Sequence, residues 1–570
     1  MLATMFEIRA KDGLGRIGRL HINGKTVETP ALMPVINPKK AEISPREIQE
    51  TFGAQMIITN AYIIHQSGLR EKALKGIHSL LDFDGVVETD SGSFQLMTYG
   101  DINVTNEEII RFQHQIGADI TTFLDIPTPP DASFSKAEAD LEITIERARE
   151  AQDLKKGAMN GTIQGGRFLP LRETACAQLG EMDFDIHPLG AVVPFLLKYD
   201  FTSLVDIILT CKMGLPVERP VHLFGAGHPL LLAFAVLLGC DLFDSAAYVL
   251  YAKGNRYLTP FGTKNMEDLL YFPCECPVCT ETDPETVSMW SLEERIQFLI
   301  RHNLYVTFRE LQVIKQAIHE GSLWELVESR IRNHPNLYES YKIVKKYAAF
   351  MEKYEPFTKR SGFSYTGAET TFRPLYKRVK RRITLVRGDT FTHPVFGEVP
   401  VSLSQTYPFH TDAVFTIPEE ELIHGICSYQ FGPEAESLFD NVTIKHGRTG
   451  KVRHLYCDQT LLATLRPVDG LFVLTFEGAE KLHRLLPFPE RRVIADEEAV
   501  PFIKEGKDLF AKFVVDMDET LRPYEEVLIV DRDDILLGVG KLLLSPEEAK
   551  SFKKGAAVQV RRGLHAVHHP

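Results

Sequence analysis

The sequence predicts an α/β fold: a (β/α)8 TIM-like barrel with an inserted metal site, followed by smaller α+β domains. The first half of the 570-residue chain repeats one pattern, in which a short apolar or β-branched run ends in polar or Gly residues. A charge-rich amphipathic stretch often follows the run, and strands that alternate with helices indicate a parallel sheet. From about residue 370 this rhythm gives way to short strands and turns, as expected for separate α+β domains.

Eight such runs are predicted to be the barrel strands, at residues 31–35, 56–60, 85–90, 119–125, 161–165, 190–194, 221–225 and 241–245. In this fold the active site lies at the C-terminal ends of the strands. Four polar residues fall at or near those ends: Asp90, Asp125, Gln164 and Asp244. A single acid that closes a strand is equally well explained as a turn or N-cap residue. Four together favour one shared site.

Length, charge and hydropathy limit the class of protein. A chain of 570 residues is too long for one hydrophobic core. The apolar run 229–240 is shorter than the roughly 20 residues of a bilayer span, so we predict a buried core helix there. The N-terminus has no apolar stretch typical of a secretory signal, so we expect a cytoplasmic protein without a membrane partner.

Net charge argues against nucleic-acid binding by bulk electrostatics, because the chain carries -13. RNA binding then depends on where the basic residues cluster. Such clusters occur at residues 376–383, 553–554 and 561–562. For each cluster alone, a solvated surface is the simpler interpretation.

A metal site is predicted from CECPVC, which places Cys274, Cys276 and Cys279 in a C-x-C-x2-C array. His302 follows on a helix-like segment and would complete a Cys3His set, a standard ligand set for structural zinc. Two alternatives stay open, namely three reduced cysteines without metal and a partly buried His302 that binds nothing. A closed Cys3His sphere has no position for water, so the zinc would be structural.

Six motifs resemble the tRNA-guanine transglycosylases over about the first 300 residues: 89–95 (TDSGSFQ), 125–130 (DIPTPP), 163–166 (IQGG), 224–229 (FGAGHP), 241–253 and the cysteine cluster with His302. Residues 525–563 resemble a PUA RNA-binding module, which predicts a C-terminal PUA β-barrel. A long tail that ends in this module is similar to the archaeosine branch, and the queuosine-type enzymes lack it. The domains expected are 1–345 (catalytic barrel), 346–420 and 421–495 (two α+β domains) and 496–570 (PUA).

Two positions depart from the family pattern. Ser93 stands where the family has Gly, which either alters the turn after Asp90 slightly or adds a hydroxyl to the pocket. Ala191 replaces the second Gly of I-G-G-V-V-P and narrows the space beside the base by one methyl. Neither change removes a catalytic group.

The resemblance implies a role for each site residue. Asp244 is expected to be the nucleophile and Asp90 the general acid/base, although the reverse assignment stays open. Asp125 offers two acceptors to the N1–H and amino group of guanine, and Gln164 suits its O6 or N7 side. Phe94 would stack on the base. The predicted binding set also contains Ser91, Gly190 and Ala191.

The implied reaction replaces guanine at position 15 in the D-arm of tRNA by 7-cyano-7-deazaguanine (preQ0), through a covalent enzyme–RNA intermediate. The target must leave its stack, so tRNA would be bound with that nucleotide flipped out and the acceptor stem held by the PUA module. A homodimer with one structural Zn²⁺ per chain is implied. The alternatives are a queuosine-type enzyme acting at the anticodon and a non-catalytic tRNA-binding protein. A metal-dependent hydrolase is disfavoured because the strand ends lack His clusters.

Overall fold

A computed structural model describes residues 5–93, 95 and 103–565. The chain forms two compact units, one of Met1–His319 with Leu326–Ile343 and the other of Glu320–Glu325 with Val344–Pro570. The first unit opens with a three-stranded antiparallel sheet of β1 (Met5–Asp12), β2 (Gly15–Ile22) and β3 (Lys25–Thr29). This sheet precedes the barrel in sequence.

The barrel consists of eight parallel strands: β4 (Ala31–Ile36), β5 (Met56–Asn60), β6 (Val86–Asp90), β7 (Ile120–Thr122), β8 (Ala158–Asn160), β9 (His187–Leu189), β10 (Val221–Leu223) and β11 (Leu242–Ser245). Their order is β8-β7-β6-β5-β4-β11-β10-β9. Parallel bridges from Asn160 to Ile186 and from Ile163 to Leu189 join the two ends of this sheet. The predicted (β/α)8 fold class is therefore confirmed.

Six of the eight predicted strands overlap an observed strand, 161–165 contributes only the bridge from Ile163 to Leu189, and the prediction of a strand at 190–194 is wrong. Residues 161–165 and 190–194 lie just after β8 and β9. The backbone explains why 161–165 does not continue as a strand beyond Ile163, because Gly165 has φ 134°, outside the range of a strand. It also explains the wrong prediction at 190–194, because Ala191 has φ 56° and a short helix, Val193–Leu197, follows it. In both segments the residues that follow the strand have the apolar pattern of a strand, so the pattern alone does not show where the strand ends.

Helices alternate with the strands, and the longer ones are Pro45–Phe52, Asn106–Gln115, Phe134–Leu154, Leu169–Glu181, Phe201–Gly214, Pro229–Leu237 and Ala247–Lys253. Shorter helices are Ala61–His65, Arg70–Ala73 and Ile77–Leu81. Every residue of Pro229–Leu237 is buried, as predicted for a core helix. No helix in the described part of the chain is both long and apolar enough to cross a membrane.

After the barrel strands the chain forms helices Leu292–Glu320, Leu323–Ile331, Pro335–Tyr341 and Val344–Glu352. The second unit then contains helices Pro374–Ile383, Glu419–Phe431, Phe476–Leu485, Val500–Lys504 and Pro546–Ser551. Its four-stranded antiparallel sheet comprises Thr443–His446, Val452–Cys457, Thr460–Leu465 and Phe472–Leu474. Its six-stranded sheet comprises Leu509–Phe510, Ala556–Gly563, Leu536–Leu542, Glu526–Val530, Arg492–Ala495 and Val514–Met517. Of these strands, Glu526–Val530 and Leu536–Leu542 flank the acidic turn at residues 531–534.

The basic cluster at 376–383 lies on helix Pro374–Ile383, and a solvated surface describes only part of it. Arg378 is buried and donates to the carbonyl oxygens of Glu355 and Pro356 at 2.8 and 2.6 Å. Arg382 donates to Glu525 at 2.7 Å. These two arginines therefore hold the second unit together, which corrects the expectation for them.

Candidate active site

One cavity of about 1000 Å³ brings the four polar strand-end residues together. Asp90, Asp125, Gln164 and Asp244 all line it. Asp90 is the last residue of β6 and Asp244 lies in β11. Asp125 and Gln164 follow β7 and β8, so each side chain enters from a different strand, as the barrel geometry requires. Of the other predicted binding residues, Gly190 and Ala191 also line the cavity, and Phe94 lies outside the described residues.

Asp125 is held by two side-chain donors. Ser93 Oγ donates to Oδ1 at 2.6 Å, and Gln164 Nε2 donates to Oδ2 at 2.5 Å. The Ser91 hydroxyl lies 3.0 Å from that of Ser93 and continues the network. Within the described residues, Gln164 Oε1 is buried without a hydrogen-bond partner. A buried acceptor of this kind calls for a donor from a ligand or from water.

The Ser93 departure now has a physical meaning. The residue in the left-handed region of this turn is Gly92, with φ 106°, and Ser93 is not among the described residues with positive φ. Ser93 therefore replaces Gly without backbone strain and supplies a hydroxyl to Asp125. Of the two outcomes expected from the sequence, the structure shows the added hydroxyl.

The Gly190–Ala191 turn forms another wall of the cavity. A Cβ at Gly190 would collide with the amide of Gln164, so only Gly permits this approach. Ala191 has φ 56°, a conformation that is unfavourable for a residue with a Cβ. Arg172, which is fully buried, holds the turn by donating to the carbonyl oxygens of Gly190 at 2.9 Å and Ile163 at 2.6 Å.

Asp244 is oriented through one of its oxygens. His222 Nε2 lies 2.9 Å from Oδ1, and the backbone N–H of Gly225 donates to the same oxygen at 2.8 Å. No described residue donates a hydrogen bond to Oδ2. Nδ1 of His222, on the opposite side of the ring, lies 3.6 Å from the buried Glu88, which accepts from Asn160 at 2.9 Å. One oxygen of Asp244 is thus fixed by donors.

Asp90 is held differently. Asn60, the last residue of β5, donates to Asp90 Oδ2 at 2.9 Å and to Gln95 at 2.8 Å. Burial and the nearby Asp125 carboxylate raise the pKa of Asp90 to about 7, with smaller contributions from Asp244 and Glu88. Burial also raises the pKa of Asp125, against the hydrogen bonds from Ser93 and Gln164. Asp90 can therefore hold or release a proton near neutral pH, the property that general acid/base work requires.

Sequence reasoning missed four residues of this site: Asn60, Glu88, Arg172 and His222. Asn60 closes MIITN and His222 lies inside VHLFG, so both were available as polar residues within predicted strands. Glu88 lies two residues before Asp90 on the same face of β6, a period-2 signal that could have identified it. Arg172 gave no such signal, because it lies on a helix that follows the strand.

The predicted metal ligands are also brought together. The ligand atoms of Cys274, Cys276, Cys279 and His302 all lie within 4.8 Å of one another. His302 Nδ1 is 3.6 Å from Cys276 Sγ and 3.3 Å from Cys279 Sγ, close to the roughly 3.5 Å separating S and N ligands in a tetrahedral site. His302 Nε2 lies 2.9 Å from the carbonyl oxygen of Leu258, which makes Nδ1 the ligating nitrogen. The residues present therefore fit a tetrahedral metal site.

Comparison with known proteins identifies the family of this chain. Residues 11–336 match the family model described as Queuine tRNA-ribosyltransferase, more than half of the 570 residues. The chain belongs to the tRNA-guanine transglycosylase family. Among its relatives, the tRNA-guanine(15) transglycosylase of Thermococcus kodakarensis is 51% identical, covering 99% of this chain and 100% of its own. The proteins of the same name from Pyrococcus furiosus and Methanocaldococcus jannaschii are 51% and 42% identical and cover 98% of this chain each, and 98% and 99% of their own.

Three further models match the tail of this transglycosylase-family chain. They are the C1 domain of tRNA-guanine transglycosylase dimerisation (residues 356–421), the patch-forming domain C2 (421–489) and the PUA domain (491–564). The resemblance to the archaeosine branch, with its C-terminal PUA module, is therefore confirmed.

Proposed function

We propose that this protein exchanges guanine at position 15 in the D-arm of tRNA for preQ0, as the glycosyltransferase of archaeosine biosynthesis. The supporting observation is one cavity that holds two carboxylates for chemistry, Asp244 and Asp90, beside a carboxylate and an amide for base recognition, Asp125 and Gln164. Relatives about half identical over their full length carry the name tRNA-guanine(15) transglycosylase, and this supports the choice of nucleotide.

The reaction runs in two displacements. Asp244 attacks C1′ of the target ribose through Oδ2, the guanine leaves with a proton from Asp90, and a covalent ester joins enzyme and RNA. Asp90, now ionised, takes a proton from preQ0, which attacks C1′ and releases Asp244. The orientation of Asp244 through Oδ1 supports this assignment, as does the pKa of about 7 for Asp90. The reverse assignment would use the acid that titrates near neutral pH as nucleophile, and is less well supported.

The same cavity recognises the base. The Asp125 carboxylate accepts from N1–H and the exocyclic amino group, two adjacent donors shared by guanine and preQ0. Burial raises the pKa of Asp125, and the hydrogen bonds from Ser93 and Gln164 oppose that rise and so favour the ionised form that this role requires. Gln164 completes the polar edge, and Phe94, with Ser91, Gly190 and Ala191, is proposed to close the pocket around the ring.

The remaining assignments concern the whole protein. We assign the Cys3His site to one structural Zn²⁺ per chain, bound by Cys274, Cys276, Cys279 and His302. When bound, the ion holds the cysteine loop on helix Leu292–Glu320. We further propose a cytoplasmic homodimer that grips the acceptor stem of tRNA through the PUA module. The proposed domains are residues 1–345, 346–420, 421–495 and 496–570.

An exchange assay tests the proposal. Purified protein is incubated with tRNA labelled in the guanine at position 15, with and without preQ0, and label release is followed. Release from position 15 supports the proposal. Release only from an anticodon guanine would support a queuosine-type enzyme instead, and tRNA binding without release anywhere would leave a non-catalytic tRNA-binding protein.

A further inference from the structure

The active-site cavity is larger than a purine needs. Its volume of about 1000 Å³ matches the upper end of sites for drug-sized ligands, whereas guanine is a small heterocycle. The four polar residues occupy one part of the cavity wall. Much of the remainder is an apolar rim that contains Leu197, Tyr199, Leu250 and Phe261. These residues are 74%, 49%, 65% and 56% exposed, so several large apolar side chains are exposed at one opening.

Tyr199 is fixed from behind. One face of its ring stacks on His334, with ring centroids 4.9 Å apart and planes at 14°. Its carbonyl oxygen accepts from Asn336 at 3.0 Å, and its backbone has φ 55°, which is unfavourable for an aromatic residue. The structure holds the ring at the cavity in spite of this strain. Strain that is retained at a site is grounds for a functional hypothesis.

Phe261 repeats the arrangement on another element. It lies at the turn between β12 (Arg256–Thr259) and β13 (Gly262–Asn265). The Arg330 guanidinium covers its ring at 4.9 Å from the centroid, and Arg330 is itself held by Glu310 at 2.8 and 3.0 Å. Phe261 and Tyr199 are therefore two exposed rings, each supported by a fixed planar group and each facing the same cavity.

The rim also carries positive charge. Lys40 and Arg256 line the cavity and are exposed, and neither lies within ion-pair distance of a carboxylate among the described residues. Glu42 also lines the cavity, where it pairs with Lys253 at 2.6 Å; Lys253 and, more weakly, Lys40 lower the pKa of its carboxyl group. Aromatic rings beside exposed cations are typical of single-stranded nucleic-acid binding, in which bases stack on the rings and phosphates contact the cations. A nucleotide flipped into the cavity stays bonded to its two neighbours, which must then lie at the opening.

We infer that this rim binds the nucleotides on either side of the target guanine, with one base stacked on Tyr199 and the other on Phe261. Lys40 and Arg256 face the connecting phosphates. The inference rests on the proposed exchange reaction and adds a second determinant of tRNA binding to it: the rings hold the RNA strand open around the target, whichever base sits in the polar pocket.

Steady-state exchange with the full-length protein tests the inference. Tyr199→Ala and Phe261→Ala should each raise the KM for tRNA about tenfold, the loss typical of one base–aromatic stack, and leave the KM for preQ0 unchanged. Tyr199→Phe keeps the ring and should behave as wild type. Tyr271→Ala, which removes an 82% exposed ring that does not line the cavity, is the matched control and should change neither KM.

A tRNA that lacks the bases on either side of the target guanine provides a second test. Removing the bases that flank the target should raise the KM for tRNA in wild type. In the Tyr199→Ala/Phe261→Ala protein the same removal should raise this KM little further, because the rings on which the bases stack are already absent. Additive losses, or an unchanged KM in both single variants, would overturn the inference. If wild type exchanges no base at all, the proposed reaction has failed; if it exchanges normally and the rim variants match it, only the inference has failed.

Discussion

The pH dependence of guanine release follows from the surroundings of Asp90. Burial and the neighbouring carboxylate of Asp125 raise its pKa to about 7, so half of the enzyme carries the proton at pH 7. Above this pKa the protonated fraction falls, from half of the enzyme at pH 7 to about one molecule in a hundred at pH 9. If Asp90 donates this proton to the leaving guanine, the rate of release should fall about 50-fold between pH 7 and pH 9. The second displacement needs the ionised form, so its rate should rise up to about pH 7 and then level off.

Single-turnover measurements separate the two steps. Enzyme in excess is mixed with tRNA labelled in the target guanine, without preQ0, and release is followed from pH 6 to pH 9. The second step is measured by adding preQ0 to the preformed intermediate. Asp90→Asn is the control, and its residual rate should lack the midpoint near pH 7. A release rate that stays constant or increases through this range in wild type would refute the assignment of Asp90 as the acid.

Three further predictions follow from other features of the barrel unit. Ala191→Gly should stabilise the protein by about 1 kcal/mol in urea unfolding, because it removes the Cβ at φ 56°. Ser93→Gly should raise the KM for preQ0 about tenfold, because Asp125 loses the donor at 2.6 Å and its ionised form is less favoured. Removal of bound metal by a chelator, or Cys279→Ser, should lower the melting temperature and release zinc, and addition of Zn²⁺ should reverse the effect of the chelator.

Each of these predictions has a contradicting outcome. Unchanged or reduced stability of Ala191→Gly would show that the surroundings compensate the backbone strain. A Ser93→Gly enzyme with a wild-type KM for preQ0 would exclude the hydroxyl from base recognition. A melting temperature that ignores chelation, with zinc absent from the purified protein by elemental analysis, would leave the cluster as reduced thiols.

Much of the fold was predictable because buried parallel strands appear in the sequence as short apolar runs. β4, β5, β6 and β11 lie within one residue of the predicted limits at each end. β8 and β9 were misplaced because each is only three residues long, and AMN and HPL are less apolar than the segments that follow them. Short strands inside a closed barrel are specified mainly by their neighbours, and a single sequence does not reveal those neighbours.

The site was predictable where a polar residue follows a strand, since the barrel brings all strand ends to one face. Asp90, Asp125, Gln164 and Asp244 were found in this way. The residues that orient these four side chains were harder to predict, because their role depends on contacts between residues that are far apart in the sequence. The 2.9 Å contact of His222 with Asp244 and the donation by Ser93 to Asp125 join residues 22 and 32 positions apart, and no local pattern predicts such pairs.

The most direct test of the account is whether Asp244 forms the bond to RNA. Wild-type enzyme is incubated with tRNA in the absence of preQ0, denatured, and analysed by gel electrophoresis for an enzyme–RNA adduct, together with Asp244→Asn and Asp90→Asn. Wild type should form an adduct that preQ0 removes, and Asp244→Asn should form none even though it still binds tRNA. An adduct of wild-type yield in Asp244→Asn would contradict the role of Asp244 as nucleophile, particularly if the adduct disappeared in Asp90→Asn.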